Sequence, residues 1–392
     1  MNADPAIVFR WSASSYFGWG IYGLNLMLHW PQPALTGQPV ERIVVAREDH
    51  RRRIAELTKA SERLHEQLAA YAGLKVIAQT PVFIGYGNDL RCACSGIHGV
   101  DLFGTPTIGF VFLEQAAISP ANVDAVNQLA QMVAGSSWNA AILAEAGVKR
   151  IVTVLQGVDC ELFRPRPKSG RFADRFVVFS GGQTSLRKGQ DLVLLAFRAF
   201  AQRHPDAVLM TAWHSPWPDR AQTFVENSEV SAPPLRPDGA LDLAQWASRV
   251  GIDEHQFLDI GPRPNSELAA ILADADVALF PNRAEGGTNL IAMECLASGI
   301  PTILSANTGH LDLIEKTQTF AAVRQRRVTA VGFRSTAGWG ESDIEELVEL
   351  LEAIYNRPED ARSRAKRAAH AMSELSWERQ IHKLHGVLGP LL

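Results

Sequence analysis

The chain has 392 residues, 46% of them apolar and 20% charged, with a formal net charge of −4. That length exceeds one ordinary hydrophobic core and predicts two domains. The mildly acidic balance gives no reason to expect nucleic acid as a main partner.

Strands alternate with helices throughout, the pattern of parallel sheets covered on both faces. Ala6 to Phe9 reads as the first strand, followed by the loop SASSYFGWG and a helix over 21–28. Gly18, Gly20 and Gly23 there match G-x-G-x-x-G. A dinucleotide site would also need an acidic residue closing the second strand. That strand, ERIVVA (41–46), is followed only loosely by Glu48 and Asp49. The aromatic flanks suit a loop wrapping a ligand, with a plain turn before a helix as the alternative. A charged helix over 50–72 carries Ile54, Leu57, Leu64 and Leu68 at helical spacing. Its start, Arg51-Arg52-Arg53, reads as a solvated helix end or as a peripheral contact for anionic lipid heads. The strands PVFIGY (81–86), TIGFVFL (107–113) and KRIVTVL (149–155) complete this half. His98 and Glu114 each follow a strand, and Glu114 is expected to face a ligand cleft.

The segment FRPRPKSGR (163–171) is rich in proline and basic residues and reads as the linker. It divides an N-terminal domain, 1–167, from a C-terminal domain, 168–373. The pattern then restarts with RFVVFS (175–180), a helix over 191–203 and DAVLMTAW (206–213). Residues 214–250 look like an irregular insertion that reads as a flap near a ligand, with His214 at its start. QFLDIG (256–261), VALFP (277–281) and PTILS (301–305) follow, and Arg263 is a further candidate contact. The tail carries helices over 342–356, 359–373 and 377–387. Two doubly wound, Rossmann-like halves imply a central cleft at the carboxyl ends of their strands.

Two loops carry the chemistry. Gly181, Gly182 and Gln183 open a strand–loop–helix segment that ends in Arg187, Lys188 and Gly189. Small residues release the backbone there, and the basic pair supplies the charge that a leaving diphosphate needs. The second loop runs from VALFP through Glu285, Gly286 and Gly287 into a helix opening near Thr288, Asn289 and Leu290 and carrying Glu294. A glycine loop before a helix N-terminus favours a phosphate. Carboxylates beside it make poor phosphate ligands but good acceptors for sugar hydroxyls. Glu294 stands among apolar neighbours, where a carboxylate needs a partner. A diphosphate between polyhydroxylated rings, a nucleotide sugar, fits this pattern.

At this point the sequence resembles the retaining, GT-B-fold glycosyltransferases of family 4. The resemblance rests on EGGTNLIAMECLASGIP, SGGQTSLRKGQDLVLLAF, SSWNAAILAEAGV with VLQGVDCELFRP, and SSYFGWGIYGLNL, in the family's order. SELSWERQ resembles the helix that crosses back onto the N-terminal domain, so 374–392 is expected to join it. The resemblance implies Glu285 on the transferred sugar, Glu294 on the ribose, and the amides of Thr288, Asn289 and Leu290 on the phosphates, with Lys188 supplying charge. Gly18, Gly20, Gly182, Gln183 and Arg187 join the expected donor set. Three departures stand out. Eight residues rather than seven separate Glu285 from Glu294, so the loop is expected to bulge. Gln183 occupies the place of the family's first basic residue, with Arg187 as its substitute. Glu114 stands where the family often has a histidine, and with Glu285 it is the candidate for positioning acceptor and sugar.

The resemblance implies transfer of a hexose-type sugar, with retention, from a nucleotide-sugar donor to a sugar, lipid-linked or protein acceptor. Other readings are a nucleotide-sugar 2-epimerase and a non-catalytic nucleotide-sugar-binding protein. No metal or other cofactor is expected. Cys92-Ala-Cys94 has no second Cys/His pair near it, and Asp274-Ala-Asp276 lies in a helix-to-strand turn. Cys92, Cys94, Cys160 and Cys295 are too few and too scattered for a disulfide framework. With no signal-peptide pattern and no window of roughly 18 apolar residues, a cytoplasmic setting is expected.

Overall fold

The computed structural model describes residues 7–93, 98–213, 218–225 and 227–392. Ala6, Cys94 and His214 therefore lie outside the described residues. The chain divides into two compact units. The first comprises Met1–Gly157, Pro264–Ser266 and Leu375–Leu392; the second comprises Val158–Arg263 and Glu267–Glu374.

The first unit holds β1 (Ile7–Phe9), β2 (Ala34–Thr36), β3 (Lys75–Ile77), β4 (Val82–Tyr86), β5 (Asp101–Phe103), β6 (Thr107–Val111), β7 (Gln131–Ala134) and β8 (Ile151–Thr153). Its helices are α1 (Gly18–His29), α2 (Glu48–Ala69), α3 (Pro120–Val126) and α4 (Ser137–Glu145). Six strands form an all-parallel sheet in the order β2-β1-β4-β6-β7-β8, and β3 pairs with β5 separately. β1, β4 and β6 are apolar and almost wholly buried, as a parallel sheet covered on both faces requires. The final helix, Trp377–Leu388, belongs to this unit, and Trp377 meets Tyr22 edge-on at 5.3 Å.

Two expectations fail here. ERIVVA (41–46) is not a strand. It runs beside the 13–15 loop, with Glu41 N–H on the Ala13 carbonyl and Val44 N–H on Ser15 Oγ. Its residues are exposed or half-buried, so it has no apolar face to give a sheet. The edge place goes to Ala34–Thr36, where the buried Thr36 hydroxyl donates to the Trp11 carbonyl at 2.7 Å. Gly18 and Gly20, expected in a ligand-wrapping loop, begin α1 instead. A Cβ on Gly20 would lie 2.6 Å from that of Ser14, so this glycine lets the 10–17 loop pack on the helix.

The second unit holds β9 (Phe176–Gly181), β10 (Ala207–Ala212), β11 (Phe257–Asp259), β12 (Val277–Phe280), β13 (Thr302–Ser305), β14 (Phe320–Ala322), β15 (Gln325–Arg327) and β16 (Gly340–Ser342). Its helices are α5 (Gln190–Ala201), α6 (Leu243–Val250), α7 (Asn265–Leu272, most of it in this unit), α8 (Leu290–Ala297), α9 (His310–Thr317), α10 (Ile344–Asn356) and α11 (Pro358–Met372). The six-stranded sheet is again parallel, in the order β11-β10-β9-β12-β13-β14. The chain moves outward one way from β9 and then resumes at β12 on the other side. That reversal is a topological switch point, where open α/β sheets bind ligands at the carboxyl ends of their strands.

The expected irregular insertion at 214–250 is partly core. Leu243, Trp246, Ala247 and Val250 are spaced at i, i+3, i+4 and i+7, and all four are buried in α6. Asp242 caps the helix by accepting from Gln245 N–H, and Gly251 closes it in the left-handed region. Phe224 and Val230 also join the core cluster, so this segment is anchored in the core at several points. Among the described residues no helix is long and apolar enough to cross a membrane.

Candidate functional site

Two loops leave the carboxyl ends of β9 and β12 side by side. The first, 181–189, is shaped by close approaches. A Cβ on Gly181 would meet Ile291 Cδ1 at 2.1 Å, and one on Gly189 would meet the Pro281 carbonyl oxygen at 2.3 Å. Gly189 also has φ +69°, which suits glycine as the residue before α5. Gln190 fastens the loop, donating to the Gln183 carbonyl at 2.9 Å and accepting from Ser185 N–H.

The second loop is clamped to the first. Arg283 N–H donates to the Arg187 carbonyl at 2.7 Å, and Arg187 Nη1 returns a bond to the Ala284 carbonyl at 2.9 Å. The Arg283 side chain is 2% exposed. It grips both oxygens of Asp191 at 2.8 Å, the Leu186 carbonyl at 2.8 Å and Glu341 on β16 at 2.7 Å. Five donors in a planar fork suit such a strut.

This clamp places Glu285 against the basic pair. Its carboxylate lies 2.5 Å from Lys188 Nζ and 3.2 Å from Arg187 Nη1, and Asn282 Nδ2 also donates to it. Burial works to raise the Glu285 carboxyl, but Lys188 and Arg187 outweigh it and hold it at about 2. Glu285 N–H donates to Thr308 Oγ1 at 2.7 Å.

The loop after β13 supports this arrangement from beneath. A Cβ on Gly309 would lie 1.8 Å from the Gly287 carbonyl oxygen, so only glycine allows the approach. His310 is fully buried, and burial pushes its imidazole down to about 4. Its bonds fit the neutral ring. Ser305 Oγ donates to the Asn282 carbonyl at 2.6 Å and so accepts from Nδ1–H at 3.0 Å. Nε2 then accepts from Asn289 Nδ2 at 3.1 Å.

Asn289 stands between the two glutamates, immediately before α8. It has φ +65° and caps α8 from outside the helix, a conformation that asparagine tolerates better than most residues. Leu290 is the first helical residue and is half-buried. Thr288 is fully buried, its hydroxyl donating to Met293 Sδ at 2.9 Å. Glu294 is 4% exposed within α8. Burial, with Glu294 adding to it, pushes the neighbouring Cys295 thiol well up. The first N–H groups of α8 have no acceptor within the helix, which with the helix dipole favours an anion at its start.

The structure thus brings Gly182, Gln183, Arg187, Lys188, Glu285, Thr288, Asn289 and Leu290 to one sheet end, with Glu294 a turn further on. Glu114, Gly18, Gly20 and His98 belong to the first unit. Glu114 follows β6, its N–H donating to Asn88 Oδ1 at 2.8 Å, while Asn139 brackets Leu113 at both its N–H and carbonyl. His98 is exposed against His65, with ring centroids 4.1 Å apart. Arg263 is exposed, bonded to the Ile260 carbonyl and 3.6 Å from Glu267. Sequence reasoning missed Asn282, Arg283, Thr308 and His310. The signal for the last two was strand order: β13 neighbours β12, so its loop must lie beside the Glu285 loop. Among the described residues no group of three His, Cys, Asp or Glu side chains is placed to hold a metal ion.

Residues 242–384 match the family model described as "Family 4 Glycosyltransferase in conflict systems". Over this stretch the chain is similar to the family 4 glycosyltransferases. Curated relatives agree with that glycosyltransferase assignment. The D-inositol 3-phosphate glycosyltransferase 1 of Catenulispora acidiphila is 31% identical over 208 residues, covering 50% of this chain and 44% of that protein. The MMP alpha-(1->4)-mannosyltransferase of Mycolicibacterium hassiacum is 26% identical over 255 residues, covering 64% of this chain and 52% of that protein. The chain spans about half the length of the curated relatives it matches. Among solved structures, Anabaena Alr3699/HepE in complex with UDP and glucose superposes with a TM-score of 0.65 at 13% identity, over 98% of this chain and 99% of that one. The sucrose-phosphate synthase of Thermosynechococcus elongatus gives 0.62 at 15% identity, over 99% of both. At such identities the likeness establishes the fold, which is the GT-B glycosyltransferase architecture.

Proposed function

We propose that this protein is a retaining, metal-independent glycosyltransferase. It moves a hexose-type sugar from a nucleotide-sugar donor to a sugar, lipid-linked or protein acceptor, in glycan or glycoconjugate synthesis. The observation that carries this reading is the buried cluster of Arg187, Lys188 and Glu285 beside the start of α8, at the switch point of the second sheet.

A diphosphate in this place would meet the basic pair and the first amides of α8. Charge on it rises as the glycosidic C–O bond breaks, and fixed donors aimed at that charge lower the barrier. Glu285 would accept hydrogen bonds from the sugar and Glu294 from the ribose. Glu114 is the acceptor-side candidate. Two donor classes stand first for testing. Alr3699/HepE has been solved in complex with UDP-glucose, and a relative from Mycolicibacterium smegmatis is named as GDP-mannose-dependent.

The test is release of nucleoside diphosphate from a panel of nucleotide sugars, with and without acceptors, and NMR of the product's anomeric centre. Lys188→Ala and Glu294→Ala are each expected to lower turnover by about 10²–10³-fold while remaining folded. Near-parental transfer by both would sink the assignment. Inversion at the anomeric carbon, or loss of activity in EDTA, would remove those two parts of the proposal separately.

A further inference from the structure

Glu285 stands where the basic pair would otherwise meet an anion. The three side chains are 6%, 9% and 12% exposed for Glu285, Arg187 and Lys188, so this is a desolvated contact rather than a surface pairing. Asn282 adds a third donor to the carboxylate, and Thr308 fixes the Glu285 backbone. The backbone that carries this carboxylate is therefore held in place.

We propose that Glu285 is a resident competitor for the diphosphate, one that makes the site select the nucleotide sugar over the spent nucleoside diphosphate. The proposal rests on reading the two loops as a donor site. Glu285 pairs with Arg187 and Lys188. A nucleotide sugar brings hydroxyl donors that replace those bonds, so the carboxylate moves to the sugar and the cations pass to the phosphates. After transfer the hydroxyls are gone. The terminal phosphate then faces a carboxylate, an unfavourable juxtaposition of like charges. Glu285 returns to the cations and displaces the product.

Titration calorimetry on the full chain tests this with UDP, GDP, ADP, their sugar esters and inorganic pyrophosphate. The parent protein is expected to bind the nucleotide sugar at least about tenfold more tightly than its nucleoside diphosphate, a difference of about 1.4 kcal/mol. Glu285→Gln removes the charge while keeping the shape. It is expected to bind the nucleoside diphosphate and pyrophosphate about tenfold more tightly than the parent and to lose the preference for the sugar ester. Unchanged or weaker diphosphate binding by a folded Glu285→Gln protein overturns the inference. A parental preference for the bare diphosphate also overturns it, and needs no variant to fold. Binding of no nucleotide and no nucleotide sugar by the parent overturns the donor-site reading itself.

Discussion

The two parallel sheets carry loops of opposite character at their switch points. In the second unit the ends of β9 and β12 are bound together by ions: Arg283 with Asp191 and Glu341, and Glu285 with Arg187 and Lys188. In the first unit the corresponding region around β1, β4 and β6 is filled with rings. Trp11 lies 5.1 Å from Trp19 and 5.5 Å from Phe110, and Tyr22 packs on Phe110 and Phe112 at 5.9 Å. One strand order thus supports an electrostatic device in one unit and an aromatic core in the other. Ligand chemistry follows from the loop residues, not from the sheet.

Removing one member of the buried ion cluster should have the largest effect. Arg283→Ala leaves Asp191 and Glu341 without their shared cation and is expected to cost about 3–5 kcal/mol in urea unfolding. A loss below about 1 kcal/mol would mean that the second unit is not held by ions at its switch point.

Acid should separate the units next. The His310 pKa is about 4 in the folded protein against an ordinary 6.5, so the unfolded chain binds the proton first. Stability should therefore fall as pH drops from about 6.5 to 4, by about 2–4 kcal/mol. Glu285, held at about 2 against an ordinary 4.5, stabilises above pH 4.5 and adds a further loss between those values. Thermal melts of His310→Gln across this range should show a flatter upper segment. A parent and variant that decline in parallel would remove His310 as the source.

The smallest effect is expected in the first unit. Gly20→Ala improves helix propensity but drives a methyl group to 2.6 Å from Ser14 Cβ, for a net cost of about 1–2 kcal/mol. Stabilisation by this change would show that the glycine is not there for packing.

Much of the fold was legible because apolar strand runs such as VVFS and VALF are continuous in a sheet buried on both faces. ERIVVA misled for the same reason: an apolar run reads as a strand until its neighbours claim the sheet edge. The β15–β16 hairpin was missed, since QRR and GES carry no apolar alternation. The glutamates and basic pair were legible as charges beside glycines. Their mutual contact was not, because Glu285 and Lys188 lie 97 positions apart. Arg283 was passed over for a related reason: nothing local distinguishes a buried arginine from a solvated one.

Asn289 has one further consequence for the molecule. Leu290 opens α8, so Glu294 is the fifth residue of the helix whatever the loop ahead of it does. Insertions or deletions between Glu285 and Asn289 would slide one carboxylate along the site while the other stays fixed. The position of one carboxylate is then tuned by loop length, that of the other by side-chain replacement on a rigid element.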